Sequence, residues 1–303
     1  MGSAPIAGRR VLVTGGAGFI GSRLCERLLT LGAEVYATWR TAPGPGSEVH
    51  WLKADAAEPA DARAAVAASR PDVVFHLASR VEGGRELDRV GSTLRDNLIS
   101  SVNLLTVAAE GGCGRIVLAG SMEEPVGTAD AIPSSPYAAA KWAAGGYARM
   151  FHALYSLPVV SLRIFMVYGP GQDEPRLIPF VVRSLLAGEP PRLTSGTRAI
   201  DWIFVDDVVD AFVAAASAAR ADGEHIDIGS GTSLTIRELV EKITAKVDPA
   251  IEPIFGAVAD RALETANVAD LERAERSLEW RPATDLEQGL DRTVAWLSGD
   301  SAR

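Results

Sequence analysis

The chain has 303 residues, 47% apolar and 23% charged, with 30 Lys+Arg against 39 Asp+Glu and a net charge of −9. That balance excludes a disordered chain and a phosphate-backbone binder, and no apolar run reaches the roughly 18 residues of a membrane span. The opening MGSAPIAGRR lacks a secretory apolar core and a myristoylation signal (Ile6 takes the Ser/Thr position), Cys25 and Cys113 make no disulfide framework, and His50, His76, His152 and His225 fall in no zinc-like spacing, so a cytoplasmic protein without metal is expected.

In chain order, Arg10–Thr14 (RVLVT) predicts a strand, followed by a glycine turn and a helix to about Leu31. Glu34–Trp39 predicts a second strand, Thr41–Ser47 (TAPGPGS) a loop, and Val49–Leu52 a short apolar run. Asp72–Leu77, Arg115–Ala119 and Val159–Arg163 are further strands, mostly separated by long helices. This alternation implies βαβ units and a parallel sheet with helices on both faces, and the continuous apolar strands fit burial on both sides. Beyond Tyr168 the pattern loosens: a helix at Leu177–Leu186, a strand at Asp201–Val205, a helix at Val205–Ala219 that Asp206 and Asp207 cap and start, a strand at His225–Ile228, a helix at Leu234–Lys246, and two helical stretches ending near Leu297. The fold expected is α/β: a doubly wound Rossmann-type domain over residues 1–168, to which 201–222 return, and a smaller substrate lobe over 169–200 and 223–303. Ligands are expected at the carboxyl ends of the strands, in the cleft between the two.

Thr14-Gly-Gly-Ala-Gly-Phe-Ile-Gly21 joins the first strand to the first helix. Gly15 permits the tight turn, Gly18 lets the backbone approach a pyrophosphate, and Gly21 lets helix and sheet pack closely. The helix N-terminus, beginning with Phe19 and Ile20, presents free N–H groups to the anion. The second strand ends in Thr38-Trp39-Arg40, without the carboxylate that would bind a ribose 2′-OH. Arg40 suits a 2′-phosphate, which favours NADP(H) over NAD(H); the alternative is a solvated arginine at a loop. Asp55 is a candidate for the adenine amine or a plain turn aspartate.

Tyr137 and Lys141 stand four apart, on one face of a helix. A free phenol has a pKa near 10, and a neighbouring ammonium favours its ionised form, so the pair can exchange a proton with a carbinol or ketone while a nicotinamide exchanges hydride. Ser121, sixteen residues earlier at a strand end, is placed to orient the reacting oxygen.

The segments TGGAGFIG (14–21), DVVFHLAS (72–79), SPYAAAK (135–141), LRIFMVYGPGQ (162–172), DWIFVDDV (201–208) and IGSGTSLTIREL (228–239) together resemble the extended short-chain dehydrogenase/reductase family, the NAD(P)-dependent nucleotide-sugar epimerases, dehydratases and ketoreductases. The resemblance covers nearly the whole chain. It implies Ser121, Tyr137 and Lys141 as the catalytic triad, with Lys141 also on the nicotinamide ribose. It places Asp55 on the adenine and Ala78 beside the cofactor, a nucleoside diphosphate in the C-terminal lobe, and a homodimer built on the tyrosine helix. Glu123 matches the acidic base of the 4,6-dehydratases, but Met122 stands where their proton donor belongs; solvated loop acids are the alternative. Met166 replaces a substrate-contacting asparagine of many epimerases, and a thioether cannot make an amide's hydrogen bonds. Ile200 replaces a diphosphate arginine, a role that Arg198 can take because residues i and i+2 share a face in extended chain; Arg261 resembles a second diphosphate arginine. These features favour NADPH-dependent 4-keto reduction of a nucleotide-linked hexose, then 4-epimerisation, then 4,6-dehydration. A non-enzymatic redox sensor is the different class, disfavoured because the tyrosine and lysine are both present.

Overall fold

The computed structural model describes residues 6–81, 83–127, 130–261, 263 and 266–299. The chain divides into two compact units, Met1–Ile164 with Val209–Asp227 and Glu272–Trp280, and Phe165–Val208 with Ile228–Leu271 and Arg281–Arg303.

In chain order the elements are β1 (Arg10–Thr14), α1 (Phe19–Thr30), β2 (Glu34–Trp39), β3 (His50–Lys53), α2 (Pro59–Ser69), β4 (Val73–His76), α3 (Arg89–Leu94), a π-helical segment Arg95–Ile99, α4 (Ser100–Gly111), β5 (Arg115–Ser121), α5 (Pro136–Tyr155) and β6 (Val159–Ile164). Then follow β7 (Met166–Tyr168), α6 (Leu177–Leu186), β8 (Ala199–Phe204), α7 (Val205–Ala215), β9 (His225–Ile228), β10 (Ser233–Thr235), α8 (Ile236–Val247), α9 (Leu271–Leu278) and α10 (Leu286–Leu297).

The first unit is built on a seven-stranded sheet in the order β3-β2-β1-β4-β5-β6-β9. Every pairing from β3 to β6 is parallel, with Val11 opposite Val35 and Val73, and Ile116 opposite Val159. The central strands are the continuous apolar runs of the sequence, and Val11–Val13 and Val73–Phe75 are wholly buried. Leu104, Leu105 and Ala108 of α4, Ala62 and Val66 of α2 and Phe151 of α5 close over Leu12, Val74 and Ile116. Each large aliphatic side chain buried this way contributes up to about 1.5–3 kcal/mol. Arg115, a charge at the start of β5, sits in this sheet because its guanidinium is paired: it donates to the carbonyls of Ala215 and Ala218 and pairs with Asp222 at 2.5 Å. That contact ties the returning segment 209–227 to the sheet.

The second unit holds a three-stranded sheet, β10-β8-β7, antiparallel between β10 and β8 and parallel between β7 and β8. Asp201 organises it: the wholly buried carboxylate accepts from the backbone N–H groups of Ser230, Gly231 and Ala269 and from the Ser230 hydroxyl.

Several boundaries differ from the sequence reading. The segment returning to the first unit is 209–227, not 201–222, because β8 pairs inside the second unit; Glu272–Trp280 also belongs to the first unit, where Arg273 donates to the His225 carbonyl and Ser277 to Glu224. The helix expected from Leu234 begins at Ile236, because Leu234 pairs with Ile200 and Thr235 caps the helix in a capping box with Glu238. The helix from Val205 ends at Ala215. Asp206 and Asp207 do occupy its first turn, but the Asp207 carboxylate binds the N–H groups of Ala283 and Thr284, and Asp206 pairs with Arg292 at 2.6 Å. Among the described residues no helix is long and apolar enough to cross a membrane.

Candidate active site

The glycine turn shapes the first end of the site. Gly15 has φ +72°, and a Cβ there would lie 2.7 Å from the Ala78 backbone nitrogen, so the turn packs directly on the end of β4. A Cβ at Gly21 would collide with the Gly15 carbonyl oxygen. Gly18, extended and without a side-chain cap, leaves the first N–H groups of α1 open to an anion. A cavity of about 390 Å³ opens beside this turn, and Gly15, Gly18, Arg40, Asp55, Ala78 and Asp96 line it. Phe19, Ile20 and Gly21 form the first turn of α1 next to it. The glycine cradle, the open helix end and the cavity fit a dinucleotide.

The polar floor of this cavity is a charge cluster that the sequence reading did not foresee. Arg40 is held at 3.1 Å from Asp96 and 3.9 Å from Asp55. Arg80 and Arg95 also reach Asp96, at 3.0 and 2.9 Å. Burial pushes the Asp96 carboxyl up, but the bonds from Arg80, Arg40 and Arg95 outweigh it and leave the group below its usual range. Asp55 receives Arg95 at 2.8 Å and accepts from the Ala57 N–H, so it is a turn aspartate as well as a cavity wall. Asn97, wholly buried within the π-helical segment, accepts from the Ser79 hydroxyl and the Arg80 N–H and donates to the Arg80 and Thr93 carbonyls. It fixes the chain just after β4. The only trace in the sequence is an Asp-Asn pair inside a helical stretch, and a π-bulge has no composition signal.

The second end lies at β5 and α5. Ser135 caps α5 through the Ala138 N–H, and Pro136 takes the first helical position. That cap fixes Tyr137 in the first turn and Lys141 one turn on. Both are buried, with the Lys141 Nζ 5.9 Å from the Tyr137 ring centre and donating to the Ala119 carbonyl at 2.7 Å. Burial pushes the Tyr137 phenol up to about 12, the hydroxyls of Ser121 and Ser79 pull it down, and Glu124 and Glu123 add to the rise. Burial pushes Lys141 down to about 8, opposed by Glu124. His76, at the end of β4, is held by Thr14 at 2.7 Å and Ser101 at 3.0 Å, and burial with the Lys141 charge drives it down to about 3, so it is a neutral strut. Ser121 ends β5, and its hydroxyl accepts from the Glu123 N–H. Glu123 accepts from the Ser134 hydroxyl, whereas Met122 is a core residue.

Ser121, Tyr137 and Lys141 are therefore brought together. In the second unit, Met166 begins β7 and pairs with Trp202. Arg198 directly precedes β8, and its carbonyl accepts from the Ile236 N–H. Arg261 is exposed, outside any regular element.

Three comparisons fit this geometry. A family model described as the NAD dependent epimerase/dehydratase family matches residues 11–229. The chain is 33% identical to UDP-glucose 4-epimerase of Mycolicibacterium smegmatis, over 96% of this chain and 99% of that protein, and 28% identical to a dTDP-glucose 4,6-dehydratase of Xanthomonas campestris, over 94% and 92%. The solved structure of MoeE5 in complex with UDP-glucose and NAD superposes with a TM-score of 0.86 at 30% identity, covering 96% of this chain and 99% of that one. With a buried tyrosine–lysine pair linked through Ser79 to the lining of a glycine-cradled cavity, the chain belongs to the NAD-dependent epimerase/dehydratase family of extended short-chain dehydrogenase/reductase enzymes.

Proposed function

We propose that this enzyme reduces the 4-keto group of a nucleotide-linked hexose with NADPH. The observation that carries the reading is the placement of Tyr137: the phenol is buried, faced by the Ser121 and Ser79 hydroxyls, with Lys141 one turn on in α5, and burial pushes it up, so it holds the proton that a reduced carbonyl oxygen takes. Ser121 and Ser79 face the phenol and orient the carbonyl oxygen. Lys141, positive below about pH 8, stabilises the phenolate left behind. When bound, the nicotinamide supplies the hydride that arrives at the sugar carbon. Arg40 receives the 2′-phosphate, with Asp55 on the adenine and the first turn of α1 on the pyrophosphate. Arg198 and Arg261 take the substrate diphosphate, and Met166 lies near the sugar. Glu123 borders the reacting oxygen; Met122, in the core, stands where a dehydratase's proton donor for the leaving hydroxyl belongs, which disfavours dehydration.

The test is NADPH oxidation, followed at 340 nm, with an enzymatically prepared nucleoside diphosphate 4-keto-6-deoxyhexose. Consumption of one NADPH per sugar supports the reading, and no consumption over a panel of such sugars contradicts it. The second reading is 4-epimerisation, favoured by the 33% identity to an epimerase; it requires a retained cofactor and no net NADPH use. A homodimer is part of the proposal, because α5 exposes Tyr147, Leu154 and Tyr155 and α3 exposes Val90 and Leu94. A monomeric mass in light scattering contradicts it.

A further inference from the structure

Glu124 does not figure in the functional reading above, yet it is among the most buried acids of the chain, at 3% exposure. Its Oε1 accepts from the Ser121 N–H at 2.6 Å, and its own N–H donates back to the Ser121 carbonyl at 3.0 Å. The two bonds close a ring around the residue that carries the hydroxyl facing Tyr137. Two glycines make room for the carboxylate. A Cβ at Gly120 of β5 would lie 2.6 Å from Oε1, and one at Gly145 of α5 would lie 3.5 Å from Oε2. Glu124 and Lys141 also share the lining of one small cavity of about 10 Å³, close to the room a single water needs.

We propose that Glu124 is the buried counter-ion of Lys141 and, through the Ser121 backbone, the positioning residue that holds both ends of the triad in register. The proposal rests on the functional reading for the role of Lys141, not for the pairing itself. A wholly buried ammonium is costly without an opposite charge, and Glu124 is the acid that acts on it, raising a pKa that burial lowers. The other charged groups around Glu124 leave this role open. His225 Nε2 stands 3.5 Å from Oε2, but burial keeps the imidazole below its usual value and so neutral at pH 7. Arg163 of β6 is engaged with Asp227 of β9 through two bonds of 2.8 and 2.6 Å. Arg149 of α5 lies on the other side of Gly145, its Nη1 3.7 Å from where a Cβ there would stand, and Arg273 of α9 donates to the His225 carbonyl.

The test exploits composition: the chain has four lysines (Lys53, Lys141, Lys242, Lys246). In protein labelled with ¹³Cε-lysine, the Lys141 resonance is assigned from its loss in Lys141→Arg and titrated by NMR without any sugar present. The expected midpoint is about 8 in the natural sequence. In Glu124→Gln, which keeps an acceptor for the Ser121 N–H but removes the charge, it falls by about one unit or more. Glu124→Asp, with its carboxylate drawn back by one methylene, gives a smaller fall and carries the test alone if the glutamine variant does not fold. A Lys141 midpoint unchanged in the folded variant overturns the proposal. As a second readout, the alkaline limb of kcat in the reductase assay moves down with the NMR midpoint while KM stays unchanged. A shifted midpoint in a protein that reduces no 4-keto sugar leaves the counter-ion standing and removes the reductase reading.

Discussion

Two polar clusters of the first unit, one around Arg40 and one around Tyr137, differ in how far solvent reaches their cations. Around the glycine-turn cavity, Arg40 and Arg95 are more than a third exposed and share Asp55 and the buried Asp96 between them. Solvent reaches the guanidinium groups and screens their contacts to Asp55, whereas Asp96 is a buried anchor that Arg40, Arg80 and Arg95 share. At the β5–α5 end, Tyr137, Lys141, Glu124 and His76 are buried, and the pKa values of Tyr137, Lys141 and His76 are set by the desolvation cost and by the neighbours. Exposure therefore separates a region suited to recognition from one suited to proton transfer. Substitutions at the first should change which cofactor binds; substitutions at the second should change rate and pH dependence.

The largest expected effect lies at the buried end. Tyr137→Phe should lower kcat by roughly 10²–10⁴-fold while NADPH binding, measured by fluorescence titration, stays intact. A loss of binding equal to the loss of rate would blur the distinction between the ends. Arg40→Ala, at the exposed end, should leave kcat near normal and reduce the preference for NADPH over NADH by about tenfold or more, the worth of a charge-assisted bond; an unchanged ratio of the two dissociation constants would remove Arg40 from the 2′-phosphate. Within the buried end, activity should fall as pH rises through about 8, because Lys141 loses its proton there, while Tyr137, held near 12, stays protonated across that window. A rate that climbs from pH 7 to 9 would show the phenolate to be the working form. The smallest effect belongs to the second unit: Thr235→Ala removes the capping box of α8, costs about 1 kcal/mol and lowers Tm by a few degrees, with cofactor affinity unchanged.

What could be read from the sequence follows the same division. A strand with a continuous apolar run, such as Arg10–Thr14, stands where the pattern puts it, because burial on both faces leaves no competing arrangement. The Ser135-Pro136 start fixes α5, and with it the Tyr137–Lys141 spacing, through local chemistry alone. The contacts of Asp96, Asn97 and Glu124 are not legible in the sequence: Asp96 and Asn97 meet Arg40, Arg80, Arg95 and Ser79, and Glu124 shares a small cavity with Lys141, and those meetings are set by tertiary packing and a π-bulge, not by spacing along the chain. β7 and β10 have three residues each, too short for any alternation to register. The division between units was misplaced at 201–222 for a related reason, since β8 is as apolar as a strand of the large sheet and only its partners distinguish it.

The central claim, that the protonated phenol serves reduction of a 4-keto sugar, is tested most directly by isotope transfer. NADPH deuterated at nicotinamide C4 on the transferred face is mixed with a nucleoside diphosphate 4-keto-6-deoxyhexose and the protein. The account predicts one NADPH oxidised per sugar and deuterium at sugar C4, both lost in Tyr137→Phe. Interconversion of nucleotide-linked 4-epimers without NADPH consumption, and with no deuterium reaching C4, would contradict it.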